Sequence, residues 1–330
     1  MVTGRPVTMA SMKPFAPLLS RWLRRATASV RRALHGAPPP PPAAPLPRFE
    51  SGAYQGPAGS RTYKLFVPEG FAGKPLPLVV MLHGCTQDPD DFARGTRMND
   101  LGQRHGFIVL YPAQPPRSNA HKCWNWFSPG DQRRGEGEPA VLAGMAREVV
   151  ATHGADPDRV FVAGLSAGGA MAAILGREYP DVFAASAVHS GLPQGAARDV
   201  ASAFAVMHTG RLRPTGPSRS GGPGIPTIVF HGDADKTVHP ANGQHVVDDV
   251  VAGSPIDPVI RRGEDQGRPF VHTVFPGRDG RPFVEHWEVH GAGHAWSGGD
   301  PAGSYADPTG PDASREIVRF FAQQRRRALA

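Results

Sequence analysis

Residues 160–171 read VFVAGLSAGGAM, and they set one hydroxyl, Ser166, among small neighbours. Four apolar residues lead into Gly164, and a stretch with helical character follows the serine. A strand that turns sharply into a helix needs small residues, because the corner residue is strained and strand and helix pass close together. Gly164, Gly168 and Gly169 supply that room. Such a corner pushes its hydroxyl out at the end of the strand and aims the next N–H, that of Ala167, where an oxyanion would form. The chemistry is nucleophilic attack on a carbonyl. The bland alternative is a tight turn with no chemistry.

A serine needs a base at neutral pH, and the base needs an acid to orient it. Downstream, IVFHGDADKTV ends a predicted strand and offers Asp233 and Asp235. It resembles the hydrolase pattern HGxxDxxV, whose acid is the fifth residue. That selects Asp235 and leaves Asp233 as the fallback, otherwise a turn aspartate. Further on, HWEVHGAGHAWSGG offers two histidines. His290 ends a predicted strand, whereas His294 lies beyond a Gly-Ala-Gly that frees the backbone, so His294 is the predicted base. A lone histidine is more often structural, but this one stands third behind two matching motifs in the order serine, acid, histidine. A second oxyanion donor belongs in an earlier loop, and LVVMLHGCTQ supplies it: Gly84 permits the turn and the N–H of Cys85 pairs with that of Ala167. His83 is expected to brace that loop by hydrogen bonds.

The surrounding pattern must deliver these loops to one place. From Tyr63 onward the sequence alternates predicted strands (YKLFVP, LPLVVML, FIVLYP, RVFVAG, FAASAVH, PTIVF) with predicted helices. One helix is expected over DDFARGTRMNDLGQRHG, a hairpin around Asp279–Gly280, and a closing helix from DASREIV capped by Asp312 or Ser314. Residues 192–224, rich in Pro, Gly and Ser, are expected to form a loop or partial lid. Repeated strand–helix units predict an α/β fold, a mainly parallel sheet with helices on both faces.

The net charge of +7 is unevenly spread. Residues 1–48 carry eight bases and no acid, leaving 28 bases against 29 acids in the rest. The near-neutral body therefore gives no sign of nucleic-acid binding. Within the basic segment, residues 15–34 place Leu19, Trp22, Leu23 and Val30 on one helical face and five arginines on the other. This predicts a basic amphipathic helix lying on a granule or membrane surface, or packed on a protein. The arginines interrupt any signal-peptide core, so a cytoplasmic or granule-associated location is expected, with secretion as the alternative. A proline-rich spacer follows, giving an expected division into residues 1–47 and a catalytic domain over 48–330. No membrane-spanning run is present. Cys85 and Cys123 fit no zinc spacing; they are one disulfide or two buried thiols.

The stretches MLHGCTQ, KCWNWF, VAGLSAGGAM, HSGLP, HGDADKTV, GAGHAWSGG and GSYADPTGPDASREIVRFF occur in order over most of residues 62–322. Together they resemble the polyhydroxybutyrate (PHB) depolymerase family of esterases, of the α/β-hydrolase superfamily. The resemblance implies an α/β-hydrolase fold, a Ser166–Asp235–His294 triad, and hydrolysis of short-chain poly- or oligo(3-hydroxyalkanoate) esters through an acyl-enzyme. It implies that Cys85 and Cys123 pair, tying the oxyanion loop to the CWNWF loop. It places Trp124, Trp126 and Trp296 near the site, where exposed rings would pack on a polyester; core packing is the alternative for each. No metal or organic cofactor is expected. Two other readings stand beside this one: a carbohydrate esterase acting on feruloyl or acetyl groups, and a non-catalytic granule- or membrane-associated protein that kept the scaffold.

Overall fold

The structure is a computed structural model that describes Met1 and residues 48–71, 73–211, 224–251 and 257–326. The chain divides into two units, Met1–Pro45 and Leu46–Ala330, and the second holds the sheet and the candidate site residues. The predicted amphipathic helix over 15–34 lies outside the described residues.

Ten strands form one sheet in the order β1-β2-β4-β3-β5-β6-β7-β10-β9-β8. Six central strands run parallel: β4 (Ile108–Pro112), β3 (Leu78–Leu82), β5 (Val160–Leu165), β6 (Ala185–His189), β7 (Thr227–Gly232) and β10 (Pro282–Val289). Antiparallel strands β1 (Arg48–Gly56) and β2 (Gly59–Val67) flank one side, and β9 (Arg268–Pro276) and β8 (Val259–Asp265) the other. β3 to β7 are buried along their whole length. That is why they read as continuous apolar runs rather than alternating ones.

Helices cover both faces. α3 (Gly137–His153), α4 (Ala167–Glu178) and α6 (Ala241–Val251) pack on one, with Leu142, Met145, Met171 and Leu175 in its core. α1 (Pro89–Thr96), α2 (Met98–His105) and α7 (Ala313–Phe321) pack on the other, where Phe92, Met98, Ile317 and Phe320 are buried. Each such side chain contributes about 1.5–3 kcal/mol by leaving water. The expected α/β-hydrolase sandwich is therefore present. Asp312 caps α7, accepting from the Arg315 N–H at 2.9 Å.

Three local expectations change. The single helix expected over 90–106 is two, because Arg97 adopts a left-handed φ of 53° that ends α1 and starts α2. Residues 192–224 are not simply loop: Val200–Thr209 form α5, capped by a reciprocal Asp199–Ser202 pair. The Pro/Gly/Ser-rich part, 212–223, lies outside the described residues. Two edge strands, β1 and β8, had no counterpart among the predicted elements.

No helix among the described residues is long and apolar enough to cross a membrane.

Candidate active site

The loops after β3, β5, β7 and β10 all leave the carboxyl ends of parallel strands, the usual place for a site in such sheets. Ser166 lies between β5 and α4 with φ 57° and ψ −118°, a conformation that costs a non-glycine residue of order 1–3 kcal/mol. The corner is tight enough to dictate its glycines. A Cβ on Gly164 would lie 2.2 Å from the Gly168 carbonyl oxygen, and one on Gly168 would lie 2.1 Å from that of Leu82. The Ser166 N–H donates to the His189 carbonyl at 2.9 Å, which locks the corner to the end of β6.

His294 Nδ1 is 2.7 Å from Asp235 Oδ2, and both side chains are almost fully buried. The other carboxylate oxygen accepts from the N–H groups of Thr237 and Val238, each at 2.8 Å. His231 Nε2 also lies 3.5 Å from Oδ2 and 2.9 Å from the Val238 carbonyl oxygen. Burial opposes the charge on Asp235. The hydrogen bonds from His231, His294 and the backbone outweigh it and hold the carboxyl well below the usual carboxylate range. The fallback residues pair with each other instead: His290 Nδ1 lies 2.8 Å from Asp233 Oδ2, at the surface.

Ser166, His294, Cys85 and Ala167 line one cavity of about 560 Å³. The Ser166 hydroxyl makes no hydrogen bond to another described residue. Much of the wall is apolar, including Leu192, Val200, Phe204 and Met207 around α5, and no carboxylate among the described residues lines it. Val200 and Phe204 are 55% and 58% exposed, and Tyr305, beside His294, is 46% exposed. The cavity mouth thus carries an apolar rim.

Cys85 and Cys123 form a disulfide that joins the two loops as the resemblance implies. His83 braces the first loop. Its Nδ1 donates to the Gly84 carbonyl at 2.8 Å, and its Nε2 accepts from the Gln114 N–H at 3.2 Å, which fixes the neutral tautomer. Burial lowers its pKa to about 4.

The three tryptophans do not share a role. Trp126 lines the cavity. Trp124 is fully buried and donates its indole N–H to the His83 carbonyl at 3.1 Å. Trp296 is buried against His189 and Phe92, with its N–H on Ser314 at 3.0 Å. The expectation that Trp124 and Trp296 present exposed rings to a substrate is therefore corrected: each indole N–H finds its partner inside the protein.

Sequence reasoning missed a polar frame. Gln87 accepts the Gly84 N–H at 2.9 Å and donates to the Ser304 carbonyl at 2.9 Å, so one side chain ties the Gly84–Cys85 loop to the loop bearing Tyr305. Glu138, buried at the start of α3, accepts from Gln114 and from the Asn125 N–H and side chain, and Gln114 also holds the Cys123 carbonyl at 2.9 Å. Burial raises the pKa of Glu138. A lone glutamine two residues after a cysteine carries no periodic signal. Only the strangeness of an acid inside a buried helix start would have marked Glu138.

The family described as esterase PHB depolymerase matches residues 61–262. The chain belongs to that family. The match includes Ser166 and Asp235 and stops before His294. Poly(3-hydroxyalkanoate) depolymerase C of Paucimonas lemoignei is 38% identical over 237 residues, covering 69% of this chain and 56% of that protein. Feruloyl esterase B of Neurospora crassa is 32% identical over 201 residues, covering 56% of this chain and 66% of its own. The chain thus spans between about half and two thirds of these relatives. Among solved structures, the acetyl xylan esterase from Aspergillus awamori has a TM-score of 0.65 at 22% identity, covering 83% of this chain and 99% of that one, a likeness of fold.

Proposed function

We propose that this protein is a serine esterase acting on short-chain 3-hydroxyalkanoate esters, polymeric or oligomeric. The observation that carries the reading is the convergence of Ser166 and the buried Asp235–His294 pair on one apolar-rimmed cavity. In this mechanism His294 Nε2 takes the proton from Ser166 Oγ as the oxygen attacks the ester carbonyl. Asp235 accepts the Nδ1–H, holds the reactive tautomer and stabilises the imidazolium. The Cys85 and Ala167 N–H groups receive the oxyanion, each worth about 3–4 kcal/mol when such a donor is removed. The alcohol leaves with the proton from Nε2, and water repeats the attack on the acyl-serine. Trp126, Val200, Phe204 and Tyr305 are suited to the methyl and methylene groups of an aliphatic polyester.

The test is release of soluble 3-hydroxybutyrate from amorphous polymer by wild type and Ser166→Ala, with p-nitrophenyl butyrate alongside. Wild type should attack both and the variant neither. Cleavage of the small ester alone would remove the polymer claim. The 32% identity to feruloyl esterase B favours a second reading, a carbohydrate esterase, for which methyl ferulate would be the better substrate. Residues 15–34 support a separate proposal from sequence alone, docking on a granule or anionic membrane. Deleting residues 1–47 should then weaken binding to granules or anionic liposomes, and unchanged binding would end it.

A further inference from the structure

Strand β8 closes one edge of the sheet and, among the described residues, pairs only with β9. Six of its seven residues are exposed and the seventh is half-buried. Val259 and Ile260 leave 50% and 53% of their surface in water. Such an edge offers a row of free N–H and C=O groups to any further strand, and proteins often blunt it with repelling charge. Here the strand reads VIRRGED and carries both signs. The side chains of Arg261, Arg262 and Glu264 make no hydrogen bond or ion pair with another described residue, while Asp265 holds Arg315 at 3.1 Å.

We infer that β8 docks a second copy of this chain, strand against strand and antiparallel, about a twofold axis through Gly263. In an antiparallel ladder, facing residues must both point toward the partner strand or both away, so the axis passes through a residue and not between two. That leaves few registers. Centring on Arg261, Arg262, Glu264 or Asp265 sets a charge against its own copy, which is destabilising. Centring on Val259 or Ile260 overlaps three strand residues or fewer. Centring on Gly263 faces Arg262 with the partner's Glu264 and Arg261 with the partner's Asp265, and the twofold axis repeats both pairs. Gly263 brings no side chain to the axis, and the Phe270 ring lies against it. The charge pattern thus rejects the other long registers and favours one.

The test is sedimentation equilibrium of the full chain at low salt from about 1 to 200 µM, spanning the affinities of weak interfaces. Wild type should dimerise with concentration. Glu264→Arg sets two arginine pairs face to face and should weaken association at least about tenfold. The swap Arg262→Glu with Glu264→Arg recreates both attractions and should return the dissociation constant to within about threefold of wild type. All positions are exposed, so the unfolding midpoint at the lowest concentration should stay within about 2 °C and serves as the folding control. The inference is overturned if wild type stays monomeric throughout, if Glu264→Arg associates as wild type does, or if the swap remains monomeric.

Discussion

The loops after β7 and β10 hold two Asp–His pairs of nearly equal length, Asp235–His294 at 2.7 Å and Asp233–His290 at 2.8 Å. They differ in surroundings. The side chains of the first are 0% and 9% exposed, and those of the second 49% and 46%. Among the described residues, Asp235 receives two further backbone N–H groups and borders His231, while Asp233 receives only that of Gly291. Distance alone does not mark a catalytic pair. The buried pair, proposed as catalytic, is held where water cannot weaken its field, and the exposed pair is half in water and fastens two loops.

The largest break between the pairs is expected in catalysis. Asp235→Asn should lower kcat on p-nitrophenyl butyrate by roughly 10⁴-fold, whereas Asp233→Asn should stay within about twofold. Steady-state rates on the purified variants decide it.

Stability should separate them next. Asp235→Ala leaves His294 and the N–H groups of Thr237 and Val238, the second buried, without their acceptor and should cost about 3–5 kcal/mol in urea unfolding. Asp233→Ala should cost under about 1 kcal/mol, because both partners are half in water.

Acid sharpens the contrast. Asp235 is held below its ordinary range, so around pH 4 the unfolded chain binds more protons than the folded one. Its contribution is present above the unfolded value of about 3.9 and is lost as pH falls through the folded value. Wild type should therefore lose more stability below about pH 4 than Asp235→Asn does. The same titration reads the loop bearing His83 at higher pH. His83 titrates near 6.5 when unfolded and about 4 when folded, so its contribution is present above pH 6.5 and is lost as pH falls toward about 4. His83→Gln should flatten that slope.

The smallest effect is salt. The Asp233→Ala difference should vanish by about 1 M NaCl, where exposed charges are screened within about 3 Å, while the Asp235→Ala difference should persist.

The sheet was legible where strands are buried on both faces, because LVVML and VFVAGL are apolar throughout. The edges were not: β8, with VIRRGED, has no buried face to impose alternation. The sharp corner at Ser166 was legible from its glycines, since backbone atoms occupy the space a Cβ would need. Preferring Asp235 and His294 over Asp233 and His290 rested on motif position and on the Gly-Ala-Gly before His294; burial, which distinguishes the pairs, is not written locally. For the same reason Trp124 and Trp296 read as loop residues although distant elements enclose them. Helix α5 escaped notice because Val200 and Phe204 face water at the cavity mouth, against the pattern of a core-facing helix.

The most direct test of the central claim is labelling with a fluorophosphonate, followed by mass mapping of the modified peptide. The label should sit on Ser166, persist in His290→Ala and disappear in His294→Ala. A label on another residue, or equal labelling of Ser166 without His294, would contradict the assignment.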